Sequence, residues 1–377
     1  DYTDSSCPAL LLEPQRTNLV PISEGVPQDT NNVTLTENYG TSPEGVQNSL
    51  KVQKNGVDAN DRIQPIDNYN ATLVSGNDYT ISCFVKNIDA TNAVTTLGCR
   101  VSGGSLFRSG YDWDGSSLSY LTTGYNAGIR ENIFVEDYGN DWWRIGFTFE
   151  ADGTSGNFEL DIDRDNGSDT TSIETWGWQL ESATGGASYA TSYIPTYGTS
   201  VSRVAETCTD AGTSATFNST EGVLYAEINA LIDPVDFNNW LTITDGTNAN
   251  SVGIVFETTG TATARIEVGG VGQAYMNTSV DYSNFIKVAF KYKENDFAWW
   301  VNGVEVRTDS SGITFPSNTL NSLQFAYGGG SNNWAGKVKE LIVFPTALSN
   351  ADLEILTGTY YESYSAMAAA LNYTVYE

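Results

Sequence analysis

Apolar residues recur at every second position in short runs along this chain, and helical spacing is rare. In DYTISCFVKN, residues 78–87, the alternating set is Tyr79, Ile81, Cys83 and Val85. In DWWRIGFTFE, residues 141–150, Trp143, Ile145, Phe147 and Phe149 fall on one face, with Trp142 and Arg144 on the other. NFELDID, residues 157–163, sets Phe158, Leu160 and Ile162 inward. ETWGWQLE, residues 174–181, sets Trp176, Trp178 and Leu180 on one face by the same alternation. Gly, Asn or Asp bounds each run. This pattern predicts half-buried strands joined by polar turns, the pattern of a β-sandwich.

A second series of such runs begins near residue 221. Within it, DFAWWVNGVEVRTD, residues 296–309, predicts a hairpin whose Asn302-Gly303 pair suits a type I′ turn. There Phe297, Trp299 and Val301 share a face and Trp300 lies on the opposite one. ALSNADLEILTG, residues 347–358, predicts a short helix with Ser349 as N-cap and Gly358 as terminator. The expected architecture is all-β, two tandem antiparallel β-sandwich (jelly-roll) domains with a short C-terminal helical tail. The expected boundaries are an entry segment at 1–18, a first sandwich at 19–200, a linker at 201–220, a second sandwich at 221–360 and a tail at 361–377.

Composition narrows the chemistry. The formal charge is -28, from 46 acidic and 18 basic residues, which repels nucleic acid and anionic membranes. No apolar run approaches the length of a membrane span. The chain has no histidine, so Ser-His-Asp and Cys-His triads and His-ligated metals are excluded. It opens at Asp1 without methionine, as a processed piece of a longer chain would. Of the four cysteines, Cys83 and Cys99 alternate with core-facing neighbours, as buried thiols or as a disulfide.

Three phrases carry a resemblance: CPALLLEPQRTNL at 7–19, WGWQLESATGGASYATSYIPT at 176–196 and SVSRVAETC at 200–208. Together they resemble phrases of phage virion proteins, in tail fibres and on capsids, where they frame a jelly roll similar to carbohydrate-binding modules. VAFKYKENDFAWWVNGVEV at 288–306 and GKVKELIVFPTALSNADLEIL at 336–356 resemble the concanavalin A-like, laminin-G-like jelly roll. The resemblance implies a virion-surface, extracellular setting, contacts with other virion proteins and a homo-oligomer, a trimer in fibres. The acidic charge and the lack of a membrane-length apolar run imply no nucleic-acid partner and no membrane insertion. The resemblance also sets Cys7 in the entry phrase and Cys208 in the exit phrase; a disulfide between them follows if the two ends of the first domain lie together.

Sugar sites pair aromatic rings with Asn, Asp, Gln and Arg. Candidate rings for a host cell-surface glycan are Trp334 with Asn332 and Asn333 in GGGSNNWAG, Trp240 after DFNN, Trp300, Trp113 between Asp112 and Asp114, and Trp142. Trp334 and Trp240 are the strongest as exposed rings, and burial against a sheet or subunit is the competing reading for each. Glu159, Asp161 and Asp163 alternate and share one outward face, which admits a solvated acidic face or, by likeness to the strand of laminarinase-type hydrolases, a catalytic carboxylate pair. Asp161, Asp163 and Asp165 also have the oxygen-ligand density of a loose Ca2+ site. An EF-hand is excluded, because its glycine would come one position before Gly167 and Ser172 stands at its twelfth position. The expected role is non-catalytic attachment to host glycan, with a structural capsid or head-fibre protein and a carboxylate-based polysaccharide hydrolase as the alternatives.

Overall fold

The computed structural model describes residues 9–56, 61–90, 93–164, 170–183, 187–231, 239–257, 260–281 and 284–358. The described residues are almost wholly β, in antiparallel sheets with one short helix among them. It forms two compact units, residues 15–204 and residues 1–14 with 205–377. Among the described residues, no helix is long and apolar enough to cross a membrane.

The unit of residues 15–204 is a sandwich. One sheet runs, in spatial order, Ser117–Tyr120, Leu106–Asp114, Val94–Arg100, Ser155–Asp161, Arg62–Thr72 and Asp29–Asn31. The other runs Glu131–Gly139, Trp142–Glu150, Asp78–Asn87, Ser172–Ser182, Arg16–Asn18 and Val201–Arg203, with Leu50–Lys54 and Val33–Thr36 added alongside. The alternation explains the core between them. Tyr79, Ile81, Cys83, Val85, Ile145, Phe147 and Phe149 from one sheet meet Leu97, Cys99, Phe107, Tyr111, Trp113, Phe158 and Leu160 from the other. Fully burying such side chains contributes roughly 1.5–3 kcal/mol each for the aliphatic and phenyl groups.

The strand Ser172–Ser182 departs from plain alternation. Its register against Asp78–Asn87 shifts between Trp176 and Gln179. Gly177 sits there at φ 65°, a left-handed conformation that glycine adopts without steric cost. The extra residue flips the pleat. Trp178 and Leu180 enter the core, while Trp176 lies on the opposite face with Phe84, Trp142 and Tyr193. The expectation that Trp176 shares a face with Trp178 is corrected by this bulge.

The second unit is also a sandwich. One sheet orders Leu10–Leu12, Gly336–Phe344, Glu221–Ile228, Ile286–Lys293, Phe297–Val301 and Val304–Asp309. The other orders Val271–Ser279, Thr261–Val268, Ser251–Glu257, Asn239–Thr244 and Ser322–Gln324. Asn302 and Gly303 both have positive φ, 46° and 82°, as a type I′ turn requires. The helix Asn350–Gly358 is capped where Asp352 N donates to Ser349 Oγ at 3.2 Å.

The expected entry segment and linker do not stand apart from the sheets. Leu10–Leu12 pairs with Gly336–Phe344 of the second unit, and Glu206 N donates to Glu13 O at 2.9 Å. Val201–Arg203 pairs with Arg16–Asn18 of the first unit. Within the expected segments 1–18 and 201–220, Leu10–Leu12, Arg16–Asn18 and Val201–Arg203 are short hydrogen-bonded strands. The tail 361–377 lies outside the described residues.

Candidate functional site

The outer face of the sheet that contains Ser155–Asp161 is built from the positions that alternate with the core. The register places Arg62 opposite Asp161, Asp161 opposite Thr96 and Thr96 opposite Gly110. The next row places Glu159 opposite Gly98 and Gly98 opposite Arg108. Beyond it, Arg100 N donates to Asn157 Oδ1 at 2.8 Å. Four of the chain's ten arginines, Arg62, Arg100, Arg108 and Arg164, thereby surround two carboxylates.

Glycines let neighbouring groups pack closely over the middle of this face. A Cβ on Gly98 would stand 3.1 Å from Phe107 O and 3.4 Å from the Arg108 stem. One on Gly110 would stand 3.4 Å from Tyr125 Cβ. The segment around Tyr125 is held there by Arg108 Nε, which donates to Tyr125 O at 2.7 Å, and by Asn126 Oδ1, which accepts from Gly110 N at 3.0 Å. A half-buried tyrosine therefore stands at the rim.

The carboxylates are not solvated, which corrects the expected outward acidic face. Glu159 is 4% and Asp161 1% exposed. Glu159 Oε1 accepts from Asn157 Nδ2 at 3.0 Å and lies 3.6 Å from Arg100 Nε. Asp161 Oδ2 accepts from Thr96 Oγ1 at 2.6 Å and from Arg164 Nη1 at 3.2 Å. Asp161 Oδ1 is buried without a hydrogen-bond partner, as is Arg62 Nε. Burial raises the Asp161 carboxyl above its ordinary value, opposed by Arg164 and Thr96. Burial, then the neighbouring Arg164 charge, lowers Arg108.

The Ca2+ reading is corrected for the residues described. Asp163 faces Lys54, whose Nζ lies 3.6 Å from its Oδ2 with both side chains fully buried. Its Oδ1 accepts from Val94 N at 3.2 Å. Asp161 is engaged by Arg164, so a cation already occupies each carboxylate's surroundings. Asp165 lies outside the described residues. Among the described residues no group of three acidic or Cys side chains is placed to hold a metal.

The expected exposed tryptophans are buried, each for a local reason. Trp113, 1% exposed, donates Nε1 to Thr95 Oγ1 at 2.9 Å within the first core. Trp142 does point away from that core, yet Phe84, Trp176 and Tyr193 cover it. Trp300 lies opposite Trp299 as expected, and Leu353 and Leu356 of the helix pack in the same cluster. Trp240 is 4% exposed, with the Tyr327 ring 4.2 Å away and the Arg265 guanidinium 5.8 Å away, centroid distances that leave it no open face. Trp334, 1% exposed, packs 5.0 Å from Phe256. Its neighbours Asn332 and Asn333 reach the surface, and all three line a cavity of about 200 Å³ in the second unit with Glu13, Glu206 and Asn239.

Cys83 and Cys99 are buried free thiols, which corrects the disulfide reading; burial pushes both thiols up. Cys208 is half-buried and also free, and Cys7 lies outside the described residues.

Sequence reasoning isolated Glu159 and Asp161 but missed the arginines around them. The available signal was alternation: Arg62 precedes core-facing Ile63, and Arg108 alternates with Phe107 and Ser109. Which strands stand next to Ser155–Asp161 was not contained in that signal.

No family model matches the chain, and no curated protein matches it. Among solved structures, the chain is similar to the CBM40 domain of Ruminococcus gnavus IT-sialidase, at 14% identity over 41% of this chain and 97% of that one, TM-score 0.34. It is similar to a heptameric SAP-like pentraxin of Limulus polyphemus, at 12% identity over 40% and 74%, TM-score 0.32. It is also similar to the leech intramolecular trans-sialidase, at 16% identity over 38% and 24%, TM-score 0.31.

Proposed function

We propose that the chain is a non-catalytic glycan-attachment protein on the surface of a phage particle, and that the outer face around Asp161 is its contact surface. The observation that carries the reading is the mixed polar row itself. Sugar hydroxyls need both donors and acceptors at close spacing. Arg62 and Arg108 supply donors, and Glu159 and Asp161 supply acceptors, along neighbouring rows of the sheet. The phage setting rests on the three phrases at 7–19, 176–196 and 200–208. Several copies on one particle would turn weak single contacts into firm attachment.

A glycan array probed with the full chain tests this. Retention of at least one host-surface polysaccharide is expected, weakened at least about tenfold, or roughly 1.4 kcal/mol, by Arg62→Gln. Retention of none sinks the reading. Trp240→Ala and Trp334→Ala are poor probes, because both rings are buried and truncation acts on folding.

One observation favours a hydrolase as the second reading. Asp161 is a buried carboxyl with a raised value, as a general acid needs, and Glu159 stands two positions away on the same face. Release of reducing ends from a host polysaccharide, lost in Glu159→Gln, would favour it.

A further inference from the structure

The core of the first sandwich holds an amine and a carboxyl that take no part in glycan contact. Lys54 closes the strand Leu50–Lys54 of one sheet, and Asp163 follows the strand Ser155–Asp161 of the other. Both side chains are fully buried, and Lys54 Nζ stands 3.6 Å from Asp163 Oδ2. Nζ donates to a main-chain oxygen, Asp163 O, at 3.1 Å. A charge-assisted bond from an ammonium to a carboxylate is shorter, about 2.7–2.9 Å. The carboxyl oxygens take neutral donors: Val94 N donates to Oδ1 at 3.2 Å and Thr171 Oγ1 to Oδ2 at 3.3 Å. The backbone holds both partners in place. Lys54 N donates to Thr171 O at 2.9 Å, and Arg164 N donates to Val94 O at 2.8 Å. Two charges buried in this way are costly to keep apart from water, and an amide in their place carries none.

We propose that Lys54 and Asp163 condense into an intramolecular isopeptide bond that ties the two sheets of this sandwich together. One proton passes from Nζ to Oδ2, which gives a neutral amine and a neutral acid. The Nζ lone pair then attacks Cγ and the N–C bond forms. A second Nζ proton goes to Oδ2, the Cγ–Oδ2 bond breaks, and Oδ2 leaves as water. One amine and one acid thus give one amide and one water, and nothing is oxidised or reduced. Oδ1 carries the negative charge that develops during attack and becomes the amide oxygen; Val94 N already donates to it. Thr171 Oγ1 donates to the oxygen that leaves. Groups fixed near the reacting separation of about 3–3.5 Å, away from bulk water, react far faster than the same groups free in solution.

Intact mass of the full chain, measured under denaturing conditions, tests the bond. The expected result is a chain lighter than its sequence by the mass of one water. Lys54→Met and Asp163→Leu, which replace the pair's members with apolar side chains, should each return to the full mass of their sequence. Trypsin digestion of the parent should join residues 52–62, uncut after Lys54, to residues 145–164 in one branched peptide. The mass and the branched peptide are read on the parent chain, so neither depends on how well a variant folds. The bond would close a loop across 109 positions of sequence, so the denatured parent should also migrate faster in a gel than Lys54→Met.

A parent chain at its full sequence mass overturns the proposal, and Lys54 and Asp163 are then a buried ion pair. Loss of one water that fragmentation places elsewhere, as at Asp152-Gly153, overturns it as well. Loss of one water that persists in Lys54→Met overturns the assignment to this lysine. No ligand enters the measurement, so glycan attachment stands or falls separately.

Discussion

On one outer face of the first sandwich Glu181 is fully buried, and both its carboxylate oxygens accept from Thr191 N, at 3.2 and 3.0 Å. Arg144 stands on the same face, donates to Thr191 O at 2.6 Å and is 6% exposed. Residues 187–196 close over this face: Tyr189 lies under the Arg16 guanidinium, 5.0 Å from it, and Tyr193 stacks 4.4 Å from Trp176. On the other outer face Asp161 is equally buried, yet one oxygen has no partner, and the side chain of Arg100 is 43% exposed. Similar residue types thus serve two ends. Where a segment of the chain itself supplies the complementary groups, arginine and carboxylate fasten structure. Where no described segment does, one Asp161 oxygen stays without a hydrogen-bond partner.

The largest expected effect lies on the closed face. Glu181→Ala removes the acceptor for the Thr191 N–H and hydroxyl, and takes away the buried charge that Arg144 and Arg16 face. A loss of about 3–5 kcal/mol is expected in denaturant titrations. A loss below 1 kcal/mol would mean that the segment 187–196 is not held by this carboxylate. Next comes Gly177→Ala, at about 1–3 kcal/mol for a left-handed non-glycine residue. Its Cβ would also stand 2.9 Å from the Phe84 ring. An unchanged melting curve would contradict the bulge that sends Trp176 to this face. Smaller still is Arg62→Gln on the open face. Among the described residues it breaks no ion pair or side-chain hydrogen bond, so stability should move by less than about 0.5 kcal/mol while ligand binding weakens. A large stability loss there would make the two faces alike.

The two sandwiches, their alternating core strands, the Asn302-Gly303 hairpin and the Ser349-capped helix were legible in the sequence, because each depends on neighbours within a few residues. Trp299 and Trp300 were assigned to opposite faces correctly for the same reason. Several failures lie where a distant segment covers a face, whereas Trp113 and Trp334 simply sit in the sandwich cores. Trp300 points outward from its sheet, but the helix buries it. Trp142 points outward, but Phe84, Trp176 and Tyr193 cover it. Lys54 meets Asp163 across more than a hundred residues of chain, and no spacing rule connects them. The Gly177 bulge was within local reach, since a glycine inside an apolar run signals an interrupted pleat. The site was half legible: Glu159 and Asp161 share a strand, whereas Arg62 and Arg108 arrive on strands set beside it by the sheet order.

The finest comparison between the faces is in their protons. Burial raises both Glu181 and Asp161, against the attraction of Arg144 and Arg164 respectively. A raised carboxyl keeps its proton in the folded chain at a pH where the unfolded chain has released it. In that window the folded state binds more protons, so stability falls as pH rises from about 3.8, the ordinary value for Asp161, through its folded value. Asp161→Asn removes this slope. The difference in Tm between the Asn variant and the parent should therefore shift in favour of the variant as pH rises from 3 to 7, and Glu181→Gln should show the same sign. Melting curves across that range check both. The opposite sign in Asp161→Asn alone would mean that the arginines outweigh burial on the open face, and its carboxylate would then be ionised more readily than that of the closed face.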